Sequence, residues 1–100
     1  LKRLPSEVVQ SDQVAFSCEP EERSLPFVLD FIGPDQVMYA SDYAHWDCEF
    51  PDSVRELNRL AGLSEERKRL VLGANAARFF GLRSDDLPQA SVAGKVLAAI

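Results

Sequence analysis

The sequence has a single histidine, two cysteines and no run of lysine and arginine. Each scarcity removes a class of function. One histidine cannot supply an HxH or HExxH pair, so no two-histidine zinc motif closes within these residues. Cys18 and Cys48 are too few for a disulfide framework and stand at neither CxxC nor zinc-knuckle spacing, so each reads as a reduced, partly buried thiol. Lysine and arginine total 11 against 16 acidic residues, a net charge of -5. Without a basic stripe the chain offers no electrostatic face to nucleic acid or to an anionic membrane. No apolar run approaches the roughly 18 residues that span a bilayer, and no basic region followed by an apolar stretch marks a signal peptide at the N-terminus. A soluble, cytoplasmic protein that meets small molecules or other proteins is the expectation.

What is present is globular in character: 46% hydrophobic and 27% charged residues over 100 positions, enough for one compact domain. The chain opens on Leu1, whereas initiator-methionine removal normally uncovers a small residue, so the sequence reads as an excerpt from something longer. Residues 1 to 12 carry no clear period and read as a loop. Gln13 to Ser17 is a short apolar run that fits a buried strand. Leu25, Val28, Leu29 and Ile32 then recur at i, i+3, i+4, i+7, one face of a helix in which Pro26 is tolerable only in the first turn.

A second apolar run, Val37 to Ala40, leads into the stretch YASDYAHWDCEF. After it Pro51 and the pattern Ser53-Val-Arg-Glu56 predict a first-turn proline and a capping box, with Phe50, Val54, Leu57 and Ala61 along one face and Gly62 as the stop. Ser64 followed by Glu65 and Glu66 is an N-cap with acidic residues where the helix dipole favours them. That helix runs to about Leu72, and a short one follows through Asn75 to Phe80, closed by Gly81. The order strand, helix, strand, helix, helix, helix is α/β, with a crossover long enough for a parallel βαβ unit. Residues 83–100 form a tail whose Val92 to Ile100 segment docks weakly or frays. Two short strands do not complete a parallel sheet, so the architecture is unfinished on its own.

Chemistry concentrates in the loop after the second strand. In a parallel α/β fold the loops at the C-terminal ends of the strands host the site, and Asp42 stands two residues past Ala40. A carboxylate there can ligate a metal, take a proton from water, or accept N–H bonds from its own loop. His45, as a lone histidine, reads more readily as an ordinary hydrogen-bonded residue than as a ligand or base. Tyr43 and Trp46 can wall a pocket or anchor packing, Asp47 reads as a turn acceptor, and Glu19 and Glu22 as solvated carboxylates at the same edge.

The runs MYASDYAHWDCEFPDSVREL and GLSEERKRLVLGANAARFFGL resemble the C-terminal part of the amidohydrolase-related family that includes aminocarboxymuconate-semialdehyde decarboxylase. Ser41, Asp42, Tyr43, His45, Asp47, Pro51, Gly73, Asn75, Ala76 and Phe80 stand in register with that family's pattern, and the resemblance covers roughly residues 4 to 82, leaving 83–100 as the tail. It implies that residues 1–82 are the last two βα units of a TIM-type (β/α)8 barrel, with Val14 to Ser17 as strand seven and Val37 to Ala40 as strand eight. Asp42 would be metal ligand and general base, His45 a catalytic neighbour, and Tyr43 and Trp46 substrate-pocket residues. Asn75 would hold the strand-eight loop through its amide, and Ala44 replaces the family's usual proline. The implied cofactor is a divalent metal, zinc in the usual case, with its remaining ligands outside this sequence. The implied activity is hydrolysis or decarboxylation of a small organic acid, ester or amide, with homodimerisation as a family trait. The alternative is a truncated, non-catalytic α/β module that self-associates.

Overall fold

Strands that run parallel need a crossover to bring the chain back to the same end of the sheet, and a helix is the usual one. The computed structural model describes residues 2–83 and Asp85, and builds that unit. Along the chain lie α1 (Pro5–Val9), β1 (Phe16–Cys18), α2 (Leu25–Ile32), β2 (Val37–Tyr39), α3 (Ser53–Arg59), α4 (Glu65–Arg69), a π-helical turn (Leu70–Ala74) and α5 (Asn75–Phe79). β1 and β2 pair in parallel, with Phe16 opposite Val37, Ser17 opposite Met38 and Cys18 opposite Tyr39. The described residues are thus mixed α/β, as expected from the order of their apolar runs. The expected tail, including Val92 to Ile100, lies outside the described residues apart from Arg83 and Asp85.

Several element ends differ from the sequence expectation, each for a local reason. The N-terminal stretch read as a loop contains α1: Pro5 presets its first turn and the Glu7 carboxylate accepts the Leu4 N–H at 2.7 Å, although the helix buries nothing. End chemistry makes this turn, and no apolar period announces it. β1 begins later than Val14, because the Val14 N–H is taken by the Ser11 carbonyl in a turn and the ladder opens only where Phe16 N–H reaches the Gln36 carbonyl. Ser53 makes no capping box. It is the first residue of α3 rather than its cap, Asp52 holds the cap position, and the Ser53 hydroxyl is engaged by Tyr39. Pro51 accordingly precedes the helix instead of entering it. The Ser64 cap does form, accepting the Arg67 N–H at 3.2 Å.

The two helices expected after Ser64 are one continuous helical path. Its middle widens into a π turn in which the Asn75 N–H reaches back to the Leu70 carbonyl. Gly73, a weak helix former where an added Cβ would meet open space, lies in the widened segment, and Gly81, at φ 64°, follows the end of the path.

The core sits between the sheet and these helices. Leu25 and Leu29 of α2, Val37 of β2, Leu57 of α3 and Val71 of the π turn are all at 1% exposure or less, with Cys18 and Leu63 completing the cluster. Residues alternate across a strand, so Val37 and Tyr39 face this core while Met38 turns the other way, into a cavity of about 600 Å³ that it shares with Val14, Ala15 and Ile32. Val54 is half-buried beside Leu57, whereas Phe50 and Ala61, expected on the same helical face, lie outside α3 and are exposed. No helix among the described residues is long and apolar enough to cross a membrane.

Candidate functional site

The loop from Ala40 to Asp52 leaves the C-terminal end of β2 and returns at α3. Asp42 stands at the start of its turn with φ 51°, a left-handed conformation that aspartate tolerates better than most residues. That backbone lets the Asp42 carbonyl accept the His45 N–H at 2.8 Å, and the His45 carbonyl in turn accepts the Cys48 N–H at 3.2 Å. The successive turns bring the Asp42, His45 and Asp47 side chains together. The Nδ1 of His45 lies 2.5 Å from Asp47 Oδ1 and 3.7 Å from Asp42 Oδ2.

A carboxylate only accepts, so Nδ1 carries the proton of the bond to Asp47 and Nε2 is left as the basic nitrogen of the neutral ring. The bond to Asp47, its charge and that of Asp42 all favour the imidazolium and raise the His45 pKa above its ordinary 6.5, with Glu19 adding to the effect. Asp47 moves the other way, below its ordinary 3.8, chiefly through the same hydrogen bond. The signs define a window. The stabilisation from His45 is complete below pH 6.5 and is lost as pH rises through the raised value, while that from Asp47 is present above 3.8 and is lost as pH falls through the lowered one. A titration of the His45 ring protons by NMR is expected to give a midpoint above 6.5, and the Asp47→Asn variant should bring it back towards that value. A midpoint that Asp47→Asn does not lower would mean that the pair does not form in solution.

One donor atom each from Asp42, His45 and Asp47 lies within 4.8 Å of the others. Donors sharing one zinc ion sit about 2.0–2.2 Å from it and hence at most about 4.4 Å apart. The cluster is slightly wider than that span, and with Nδ1–H held by Asp47 the donors open to a divalent cation of the zinc type are His45 Nε2 and the carboxylate oxygens. The residue pattern points to Asp42 and His45 and reads Asp47 as a turn acceptor. The i, i+3, i+5 spacing carries the signal only once a turn, rather than a helix or strand, is known to hold it.

Asp42 also lines two clefts at the strand ends. One, of about 250 Å³, lies among Ser17, Cys18, Glu19, Glu22 and Ala40; the other, of about 60 Å³, has Glu19, Ser41, Asp47 and Cys48 in its wall. Glu19 and Glu22, read from the sequence as solvated carboxylates, therefore stand in the walls beside Asp42. Burial, reinforced by the charge of Glu22, pushes the Cys18 thiol up to about 11, which leaves it protonated and unreactive at neutral pH. Tyr43 meets Phe50 edge to face at 4.7 Å, and Trp46 is 89% exposed; neither lines these clefts. Asn75 was expected to hold the loop after the strand. Its amide instead donates to the Pro34 and Val37 carbonyls at 2.7 and 2.8 Å, at the beginning of β2, because the helical path packs across the strand's opposite end.

Residues 1–82 match the family profile described as Amidohydrolase. The chain belongs to the amidohydrolase family. No curated relative and no solved structure matches it. Amidohydrolases of this family are generally metal-dependent hydrolases and decarboxylases, and among the described residues the Asp42, His45 and Asp47 donors form a group that could hold part of a metal's coordination.

Proposed function

We propose that this amidohydrolase sequence forms the closing part of a (β/α)8 barrel, with β1 and β2 as its seventh and eighth strands, in an enzyme that hydrolyses or decarboxylates a small organic acid or its ester or amide. The observation that carries the reading is the placement of Asp42: at the C-terminal edge of a parallel sheet, lining both clefts, within reach of a histidine held by a second carboxylate. Asp42 would be metal ligand and general base. His45, oriented by Asp47, would present Nε2 to hold or pass a proton beside it. Tyr43 and Trp46, both exposed on the same loop, would meet the substrate at the mouth of the site. A divalent metal, zinc in the usual case, supplies the charge that acidifies water and polarises a carbonyl, and its other ligands come from residues beyond these.

The test is made on the polypeptide that carries these residues, purified without chelator. Stoichiometric divalent metal, activity lost on chelation and restored by zinc, and release of either carbon dioxide or a hydrolysis product are the expected results. Full activity without metal overturns the reading. The second reading, a non-catalytic module that self-associates, draws on the two-stranded sheet, whose outer edges are unpaired among the described residues. It would be favoured by an inert, metal-free oligomer in sedimentation.

A further inference from the structure

The groups of the candidate site all sit on one loop, and the stiffness of that loop decides how well they stay together. Its two ends are fastened to each other. Tyr39 closes β2 and Ser53 opens α3, 14 positions apart, and their hydroxyls share a hydrogen bond across the base of the loop. Ser53 is 3% exposed, and the Tyr39 ring packs against the core, so the bond is partly buried and set on two anchored elements. The Tyr39 hydroxyl engages the Ser53 side chain in the first turn of α3, which has Asp52 at its cap position and starts without a side-chain cap bond. Within the loop, the turn bonds from His45 and Cys48 and the edge contact between Tyr43 and Phe50 continue the bracing from the base towards the tip.

We infer that Tyr39 and Ser53 are positioning residues whose hydroxyl pair latches the base of the loop and so holds Asp42, His45 and Asp47 together. The inference deepens the proposed function and rests on it for the purpose the latch serves, but the latch itself is a property of the chain. Fastening the base removes part of the conformational freedom that a long loop otherwise keeps. A side-chain bond made on rigid elements transmits that restraint to residues it never touches. The Tyr39 ring is well suited to this, since two torsions fix the position of its hydroxyl.

The Tyr39→Phe and Ser53→Ala variants each remove one hydroxyl and leave the backbone chemistry alone. Hydrogen exchange read by mass spectrometry on the whole polypeptide should show loop amides, those of His45 and Cys48 among them, exchanging about 3- to 10-fold faster in either variant, the factor that one net hydrogen bond contributes. Amides of α2, β2 and the helical path should exchange as before. The double variant should be no faster than the single ones, because both remove the same bond. Zinc affinity measured by competition with a chromophoric chelator should weaken by a similar factor. Unchanged loop exchange overturns the inference, and so does acceleration spread evenly over the core, which would make the pair a general structural contact. Should the unsubstituted polypeptide bind no zinc, the functional reading fails, while the exchange pattern still decides the latch.

Discussion

Asn75→Leu is expected to lower the unfolding free energy by about 2–4 kcal/mol, because it deprives two backbone carbonyls of their buried donor while keeping the branched outline of the side chain. Asn75 is 1% exposed and spends both amide hydrogens on β2's approach, one on Pro34 and one on Val37. Its own oxygen faces the guanidinium of Arg78 at 3.5 Å, and Arg78 donates in turn to the Asp35 carbonyl. The helix thus grips the segment from Pro34 to Val37 by hydrogen bonds as well as by the apolar contact of Val71. In thermal unfolding the loss should appear as a fall in Tm on the order of 10–20 °C. Asn75→Asp should do no better, since a carboxylate of the same shape accepts where a donor is needed and brings a charge into the core. A change below about 0.5 kcal/mol for the leucine variant would mean that these carbonyls find other partners.

This site also shows why some of the fold is legible in the residue pattern and some is not. α2 is written plainly in Leu25, Val28, Leu29 and Ile32, because a helix that buries one face must repeat its apolar residues, and the structure buries Leu25 and Leu29 on that face. The Ser64 cap is equally plain, since capping depends on neighbours a few positions away. Ser53 carries the same local signal and fails, because the helix begins one residue earlier than the pattern suggests, with Asp52 at the cap and the Ser53 hydroxyl turned to a tyrosine 14 positions earlier. Asn75 is readable as a buried amide but not as a partner of Pro34 and Val37, since the 41 and 38 positions between them are bridged only by packing. The π turn is similarly hidden: Gly73 marks a weak place in a helix, but nothing in the pattern says that the path continues through it. Within the site, Asp42 follows from the rule that parallel strands deliver chemistry at their C-terminal ends. The pairing of His45 with Asp47 depends on a turn geometry that has no period to reveal it.

On the proposed reading, the two ends of β2 divide the work between stability and chemistry. The entry is held by Asn75 and Arg78, far from the clefts; the exit carries Tyr39, then Asp42. A residue at the exit can therefore be altered for its charge with little effect on the core, provided that its backbone conformation is respected. This is the condition that makes the next substitution informative.

Asp42→Asn is expected to reduce kcat/KM by about 10²- to 10⁴-fold, the usual contribution of a positioned acid or base, with little loss of stability. Asparagine has the same shape, and it tolerates the left-handed backbone that Asp42 adopts at φ 51°. It cannot hold a proton in the relevant range, and as a neutral ligand it binds a divalent cation less well than a carboxylate. Metal content should fall together with activity. Asp42→Ala removes the same charge but adds a strained backbone at about 1–2 kcal/mol, so the difference between the two variants separates conformation from chemistry. Removing the Asp42 charge should also lower the raised pKa of His45, since that carboxylate is one of the groups that favours the imidazolium. The NMR midpoint of His45 thus reports on the charge at position 42 whether or not a substrate is at hand. Full activity and full metal content in Asp42→Asn would remove Asp42 from the chemistry and leave the loop a structural corner, even with the His45 midpoint shifted as expected.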